Sequence, residues 1–437
     1  MDKFLNTLYL SKIEKETYIM LKKLLILLLM LPTVIFAQNS PEQEAIISVE
    51  RIWDRAQHNA FTSLIFHNNK FYCSFREGSG HTPGINGTIR IIASDDGQNW
   101  YSMAHLNVAD VDLRDPQLSV TPDNRIMLNI GGSVYSGGEL IKMQPMVSFS
   151  DKTGRNFSSP QNIKVDDKIK TDEDWLWKVT WHKGTAYSAI YQPTTEGSIL
   201  QLVKSSDGII YSYITTLKIP GQPNEATLRF TSEGKMTAVV RRGGNNPHGY
   251  IGVSDLPYKK WKWNELEGRL GGPDFLILPN NKMICGTREY LPDGENKMIL
   301  AKITNAGDLT KLVTLPSGGD CSYPGMVIKD NILYVSYYST HERKTTIYLG
   351  ATAYTLDALY TVGMTQQADM ILDAMLKRQK EGVFPNGGGF QNGMGYGMGS
   401  GAEFFDWKGN PTGYEGHLVY SWAFLHSMLR KELAFEF

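Results

Sequence analysis

The chain has 437 residues, 41% of them hydrophobic and 20% charged, with a formal net charge of -1. That composition suits a globular protein of at most two domains and leaves no polyelectrolyte character. A near-neutral chain without a basic run argues against a nucleic-acid partner. Its 22 tyrosines and 9 tryptophans suit sugar-stacking surfaces and β-sheet cores equally.

Residues 20–37 begin Met20-Leu-Lys-Lys, run almost wholly apolar from Leu24 to Phe36, and end at Ala37. A basic start, a short apolar run and a small residue form a secretory signal peptide. The run is too short for a membrane span. Residues 1–19 then read as a mis-called extension, with Met20 as the start. The expected mature protein is secreted or periplasmic, with no membrane span after cleavage. Cys73, Cys285 and Cys321 have no metal-site spacing and allow one disulfide at most, so buried free thiols are expected.

From residue 46 to 350 the pattern is short alternating strands broken by Gly, Asn, Asp and Pro, as in Phe71-Tyr-Cys-Ser-Phe75 and Ile332-Leu-Tyr-Val-Ser336. Period-two runs with turn clusters indicate an all-β fold. Within it, Ser94-Asp95-Asp-Gly97-Gln-Asn99-Trp100 has looser echoes at Ser150-Asp151 to Phe157, Ser206-Asp207-Gly208 to Tyr211, and Ser254-Asp255 to Trp261. The aspartates step by about 56, 56 and 48 residues, the spacing of propeller blades. Short polar residues and glycine make the hairpin turn, and the aromatic ring fills the gap between sheets. About 300 residues at roughly 50 per repeat predict a six-bladed β-propeller, with five blades as the alternative count.

At residue 351 the texture changes. Leu356, Leu359, Ala368, Ile371, Leu372 and Met375 recur at helical spacing, and a glycine-rich stretch precedes a last helix from Leu418 to Lys431. Residues 351–437 therefore read as a short, partial α-helical segment following the propeller.

The propeller region resembles the sialidase superfamily, in its bacterial sialidase-like branch. The resemblance rests on Trp53-Asp-Arg-Ala-Gln-His58, Phe75-Arg-Glu-Gly78, Asp112-Leu-Arg-Asp-Pro116, Trp175-Leu-Trp-Lys-Val-Thr-Trp181, Pro223-Asn-Glu225-Ala-Thr, Arg241-Arg242, Gly271-Gly-Pro-Asp274, Arg288, Ser322-Tyr-Pro-Gly325 and Tyr337-Tyr-Ser-Thr-His-Glu342. The tail is similar to the end of a six-hairpin glycosidase, through Gly-Gly-Phe-Gln-Asn-Gly393, Glu403, Trp407 and Glu415.

The resemblance implies a catalytic tyrosine at Tyr323, activated by Glu225, with arginines that hold an acidic sugar. A phenol is a poor nucleophile until a carboxylate takes its proton, and being neutral it does not repel an anionic substrate. Arg241 or Arg242 and Arg288 match the second and third arginines of that family. Ala60 stands in place of the first, and the expected aspartate in residues 77–88 is absent, which leaves Glu77 and His81 as proton carriers there. His81 or Asp115 is therefore the candidate acid/base. Arg76, Arg114 and His58 complete the candidate substrate-binding set, although Asp112, Arg114 and Asp115 could equally hold the fold. Trp175, Trp177 and Trp181 fall at period two, as if on one strand face between blades.

These readings predict a secreted exo-acting glycoside hydrolase that removes a terminal, acidic sugar from a glycan and needs no metal or other cofactor. Two alternatives stand beside it: a uronate-directed polysaccharide lyase and a non-catalytic glycan-binding propeller.

Overall fold

The computed structural model describes residues 46–81, 86–278, 281–330 and 332–352, together with a short pairing of Phe404–Phe405 with Pro411–Thr412. The expected signal peptide and the helical tail lie outside the described residues, and no helix occurs within them.

Six sheets follow one another along the chain, as the repeat spacing predicts, five of them of four antiparallel strands and the third of six strands with one parallel pair. The first contains β2 (His58–His67), β3 (Lys70–Gly78), β4 (Thr88–Ser94) and β5 (Tyr101–Leu106), and the second β6 (Asp112–Val120), β7 (Ile126–Ser136), β8 (Glu139–Phe149) and β9 (Gln161–Asn162). In the third, β10 (Lys164–Val165) pairs in parallel with β15 (Ile210–Leu217), and the inner position is split between β11 (Trp175–Leu176) and β12 (Thr180–His182), which both pair β13 (Thr185–Thr194) beside β14 (Gly197–Ser205). The fourth holds β16 (Gln222–Phe230), β17 (Met236–Gly243), β18 (His248–Ser254) and β19 (Lys262–Arg269). The fifth holds β20 (Asp274–Ile277), β21 (Met283–Tyr290), β22 (Asn296–Ile303) and β23 (Leu309–Leu315). The sixth is closed by the other end of the chain: β1 (Ile46–Trp53) pairs with β26 (Thr346–Thr352), outside β25 (Ile332–Ser339) and β24 (Cys321–Lys329). That closure ties the two ends of the propeller chain into one blade and settles the count at six.

Inner strands contact their neighbours around the axis: β2 meets β6 and β24, β12 meets β6 and β16, and β20 meets β16 and β24. The hydrophobic residues of the alternating strands fill six inter-blade layers. Leu300, Val313, Met326 and Tyr337 form one of them, and Phe71, Phe75, Ile92 and Leu349 another. All three cysteines are free and buried.

The repeated turn works by side-chain capture of backbone amides. Ser94 Oγ accepts from the amides of Asp96 and Gly97, Asp96 accepts from those of Gln98 and Asn99, and the Trp100 indole donates to the Gly97 carbonyl. Ser205 and Asp207 repeat the pattern. The carboxylate that closes the first turn is thus Asp96, and Asp95 instead pairs with Lys70. Gly97 and Gly208, at φ of 79° and 76°, occupy the left-handed region that the turn requires.

Candidate functional site

Four inner strands carry a bulge at the same level. The register slips between Ala60 and Ser63 in β2, Arg114 and Gln117 in β6, Pro223 and Ala226 in β16, and Ser322 and Gly325 in β24. A bulge breaks period-two alternation and re-aims a side chain. At three of these bulges a non-glycine residue has positive φ: Phe61 at 63°, Asp115 at 46° and Tyr323 at 52°. Such conformations cost free energy and persist where surrounding packing enforces them. The bulged residues include Phe61, Asp115, Glu225 and Tyr323, and they converge on one site.

The Tyr323 phenol donates to Glu225 Oε1 at 2.6 Å. Arg241 Nη1 donates to the same oxygen at 2.5 Å and lies 3.4 Å from the phenol oxygen. The Gly272 amide donates to Glu225 Oε2 at 3.0 Å. Both carboxylate oxygens are therefore held, and one of them faces the phenol. Burial pushes the Tyr323 phenol well above its usual value; the Glu225 charge adds to this and Arg241 opposes it. The phenol keeps its proton until a reaction supplies somewhere for it to go, and Glu225 stands ready to receive it. The Tyr323 ring is fixed by Phe61 at 5.1 Å and Trp177 at 6.0 Å between centroids. Thr62, Gln117, Trp177, Lys178 and Pro273 close around the ring in a narrow crevice.

Asp115 is only partly accessible. Its carboxyl is pushed up to about 6 by burial and then by the Glu225 charge, against the pull of Arg114, His81 and Arg76. A carboxyl that ionises near neutrality can both give and take a proton at working pH.

Other predicted residues divide between the site and the scaffold. Arg288 sits at the rim, donating to the Cys321 carbonyl, Asp320 Oδ1 and the Tyr338 hydroxyl. His58 and His81 both meet Asp320, at 3.7 and 2.8 Å. Arg76 is 0% exposed and its guanidinium is taken by Asp112 and the Gly80 carbonyl, so it braces the first two blades and is out of a substrate's reach. Arg114 bonds Asp112 and the His81 carbonyl and lies over the Phe61 ring, which makes it a brace beside the site. Arg242 points to the opposite face of β17 from Arg241 and holds Glu265 and the His248 and Pro220 carbonyls. Glu77 is spent on the Trp53 indole and Arg90, so it is no proton carrier for the site. The three tryptophans do not share one strand face, because the inner position breaks between β11 and β12. Trp175 packs on Gly131 and Tyr191, Trp177 on Tyr323, and Trp181 against the layer between the second and third blades.

Sequence reasoning passed over Asp320, Tyr338, Phe61 and Gly272. The signal for Asp320 was its place after Gly318-Gly319 and three residues before Tyr323. A larger recess of about 920 Å³, lined by Asp151, Asp207, Phe149 and Trp181, includes none of these residues. Its aspartates are occupied by backbone amides.

No family model matches the chain, and no curated protein matches it. Solved structures do. A protein of unknown function from Dyadobacter fermentans superposes with a TM-score of 0.62 at 17% identity, covering 70% of this chain and 98% of that one. The sialidase of Trypanosoma rangeli in complex with the inhibitor DANA gives 0.57 at 12%, covering 75% of this chain and 57% of the sialidase. An α-L-arabinofuranosidase from Fusarium graminearum, bound to an iminosugar inhibitor, gives 0.55 at 14%, with 70% and 98% covered. The chain has the six-bladed, sialidase-like propeller fold, which glycoside hydrolases share.

Proposed function

We propose that the chain is a retaining exo-glycosidase with Tyr323 as nucleophile, Glu225 as its base and Asp115 as acid/base. The observation that carries this reading is the 2.6 Å bond from the Tyr323 phenol to a carboxylate that Arg241 and the Gly272 amide hold in place. In the first step the phenol oxygen bonds to the anomeric carbon, Glu225 takes the phenol proton, and the bond to the leaving oxygen breaks. Asp115 gives its proton to that oxygen. In the second step Asp115 takes a proton from water, the water oxygen bonds to the anomeric carbon, and the phenol leaves with the proton Glu225 held.

Inner-strand bulges at the propeller axis suit a chain end better than a chain middle, which supports exo action on a terminal sugar. Arg241 and Arg288 would meet an acidic group on that sugar. Both are already bonded to protein carboxylates, so the proposal puts glycoside cleavage ahead of the choice of sugar. Export, directed by residues 20–37, would bring the protein to extracellular or periplasmic glycans.

The test is a panel of acidic and neutral aryl glycosides with wild type, Tyr323→Phe, Glu225→Gln and Asp115→Asn. Turnover that Tyr323→Phe and Glu225→Gln each lower by roughly 10³-fold is the expected result. Asp115→Asn should spare the first step on substrates whose leaving group needs no proton, read as a burst of aryl release, and slow the second. Glycan binding without turnover in any form would refute catalysis, and an unsaturated product would replace hydrolysis by elimination.

A further inference from the structure

His58 opens β2, His81 follows β3 and Asp320 precedes β24, so three separated segments meet at one point of the rim. His81 Nδ1 lies 2.8 Å from Asp320 Oδ2 and His58 Nε2 lies 3.7 Å from it. One donor atom from each of the three residues falls within 4.8 Å of the others. Ligands about 2.0–2.1 Å from a tetrahedral zinc stand roughly 3.4 Å apart, so these separations bracket what an ion would need.

The setting of the ligands also fits an ion. His58 is 7% exposed and directs its Nε2 at Asp320 Oδ2. Asp320 turns its other oxygen to the Tyr338 hydroxyl at 2.8 Å and to Arg288 at 3.2 Å. Such outer contacts orient a ligating carboxylate and leave Oδ2 for the ion. Two imidazoles and one carboxylate suit a divalent first-row transition metal, and they disfavour calcium or magnesium, which take oxygen ligands.

We infer that His58, His81 and Asp320 form a binding site for a divalent transition-metal ion, of the zinc class, at the rim of the Tyr323 site. The Phe61 ring touches both His81 and Tyr323, at 5.1 Å each. An ion there borders the catalytic pair, and its remaining coordination positions suit the hydroxyl or carboxylate oxygens of a sugar. The inference stands on the three ligands and does not depend on the proposed glycosidase chemistry.

The test is equilibrium dialysis of the chelator-treated full chain against zinc chloride, with cobalt absorption as a second readout of coordination. One ion per chain is expected. His81→Ala and Asp320→Asn should each weaken uptake by roughly tenfold or more, and Tyr338→Phe by about tenfold. The His81 side chain is 47% exposed, so its loss leaves the fold intact even if Asp320→Asn does not. His248→Ala, beside Glu265 at 3.5 Å, should change nothing. Absence of saturable uptake, uptake indifferent to His81→Ala, or uptake lost with His248→Ala would each overturn the site.

Discussion

Asp115 carries a cost that can be read as a function of pH. Its carboxyl ionises near 6 in the folded protein against an ordinary 3.8, chiefly because of burial and the neighbouring Glu225 charge. The folded chain therefore holds this proton more tightly than the unfolded one. Below about pH 4 both states are protonated and the cost is nil; it grows as pH rises and is complete above about pH 6. A gap of about two pH units at about 1.4 kcal/mol each gives roughly 3 kcal/mol, a ceiling because Asp115 is partly accessible. Asp115→Asn removes the ionisation and should stabilise the protein by up to about 3 kcal/mol at pH 8, and hardly at all at pH 4. Urea midpoints at pH 4, 6 and 8 measure this. The same variant should lose about 10²–10⁴-fold in turnover of substrates with poor leaving groups. A stability difference that is flat with pH, or a variant less stable at pH 8, would refute both the electrostatic account and the choice of Asp115 as acid.

Other perturbations test the surrounding geometry. A Cβ on Gly272 would lie 2.5 Å from the Tyr323 ring, at a φ of 59°, so Gly272→Ala should lower kcat far more than it changes KM in steady-state kinetics. A Cβ on Gly325 would meet the Leu64 backbone nitrogen at 2.1 Å, where the first and last blades touch; thermal melting should show Gly325→Ala destabilised by about 4 kcal/mol or more. Arg241→Met leaves the buried Glu225 carboxylate without its cation and should cost about 3–5 kcal/mol in chemical denaturation, together with activity. Tyr323→Phe leaves Glu225 bonded to Arg241 and Gly272, so its stability should move by only about 1 kcal/mol while turnover falls, which separates chemistry from folding.

Much of the architecture was legible in the sequence because the turns repeat. Serine, aspartate and glycine at fixed offsets build one hairpin several times, and alternation between the turns gives the strands. The pair Tyr323 and Glu225 was legible too, through order and context at strand openings. What period two could not settle was which member of a doublet faces the axis. Arg241 and Arg242 lie on opposite faces of β17, and nothing in the doublet itself marks which does. Arg76 and Glu77 carry the residue types of a sugar site, yet Asp112 and Trp53, remote in sequence, consume them. Asp95 and Asp96 pose the same difficulty within a turn, where a shift of one residue exchanges a backbone-capping carboxylate for a surface ion pair.

The bulges explain why the site sits where it does. A regular inner strand sends alternate side chains into the two inter-blade layers, and in this chain those layers are filled with aliphatic and aromatic groups. A polar nucleophile on such a face would be buried against hydrocarbon or displaced from the core. One extra residue at the same height in β2, β6, β16 and β24 frees a side chain from that alternation without disturbing the strand on either side. Phe61, Asp115, Glu225 and Tyr323 occupy those positions, so a phenol and a carboxylate, 98 residues apart, meet because their strands carry the same local irregularity. The Gly272 amide, at the mouth of β20, supplies a fifth blade's contribution by donating to Glu225. Each such position can change its residue while the layers between blades stay as they are. Side chains at the bulges and rim, at Ala60, His58, His81 and Asp320, can therefore differ while the phenol–carboxylate pair stays fixed.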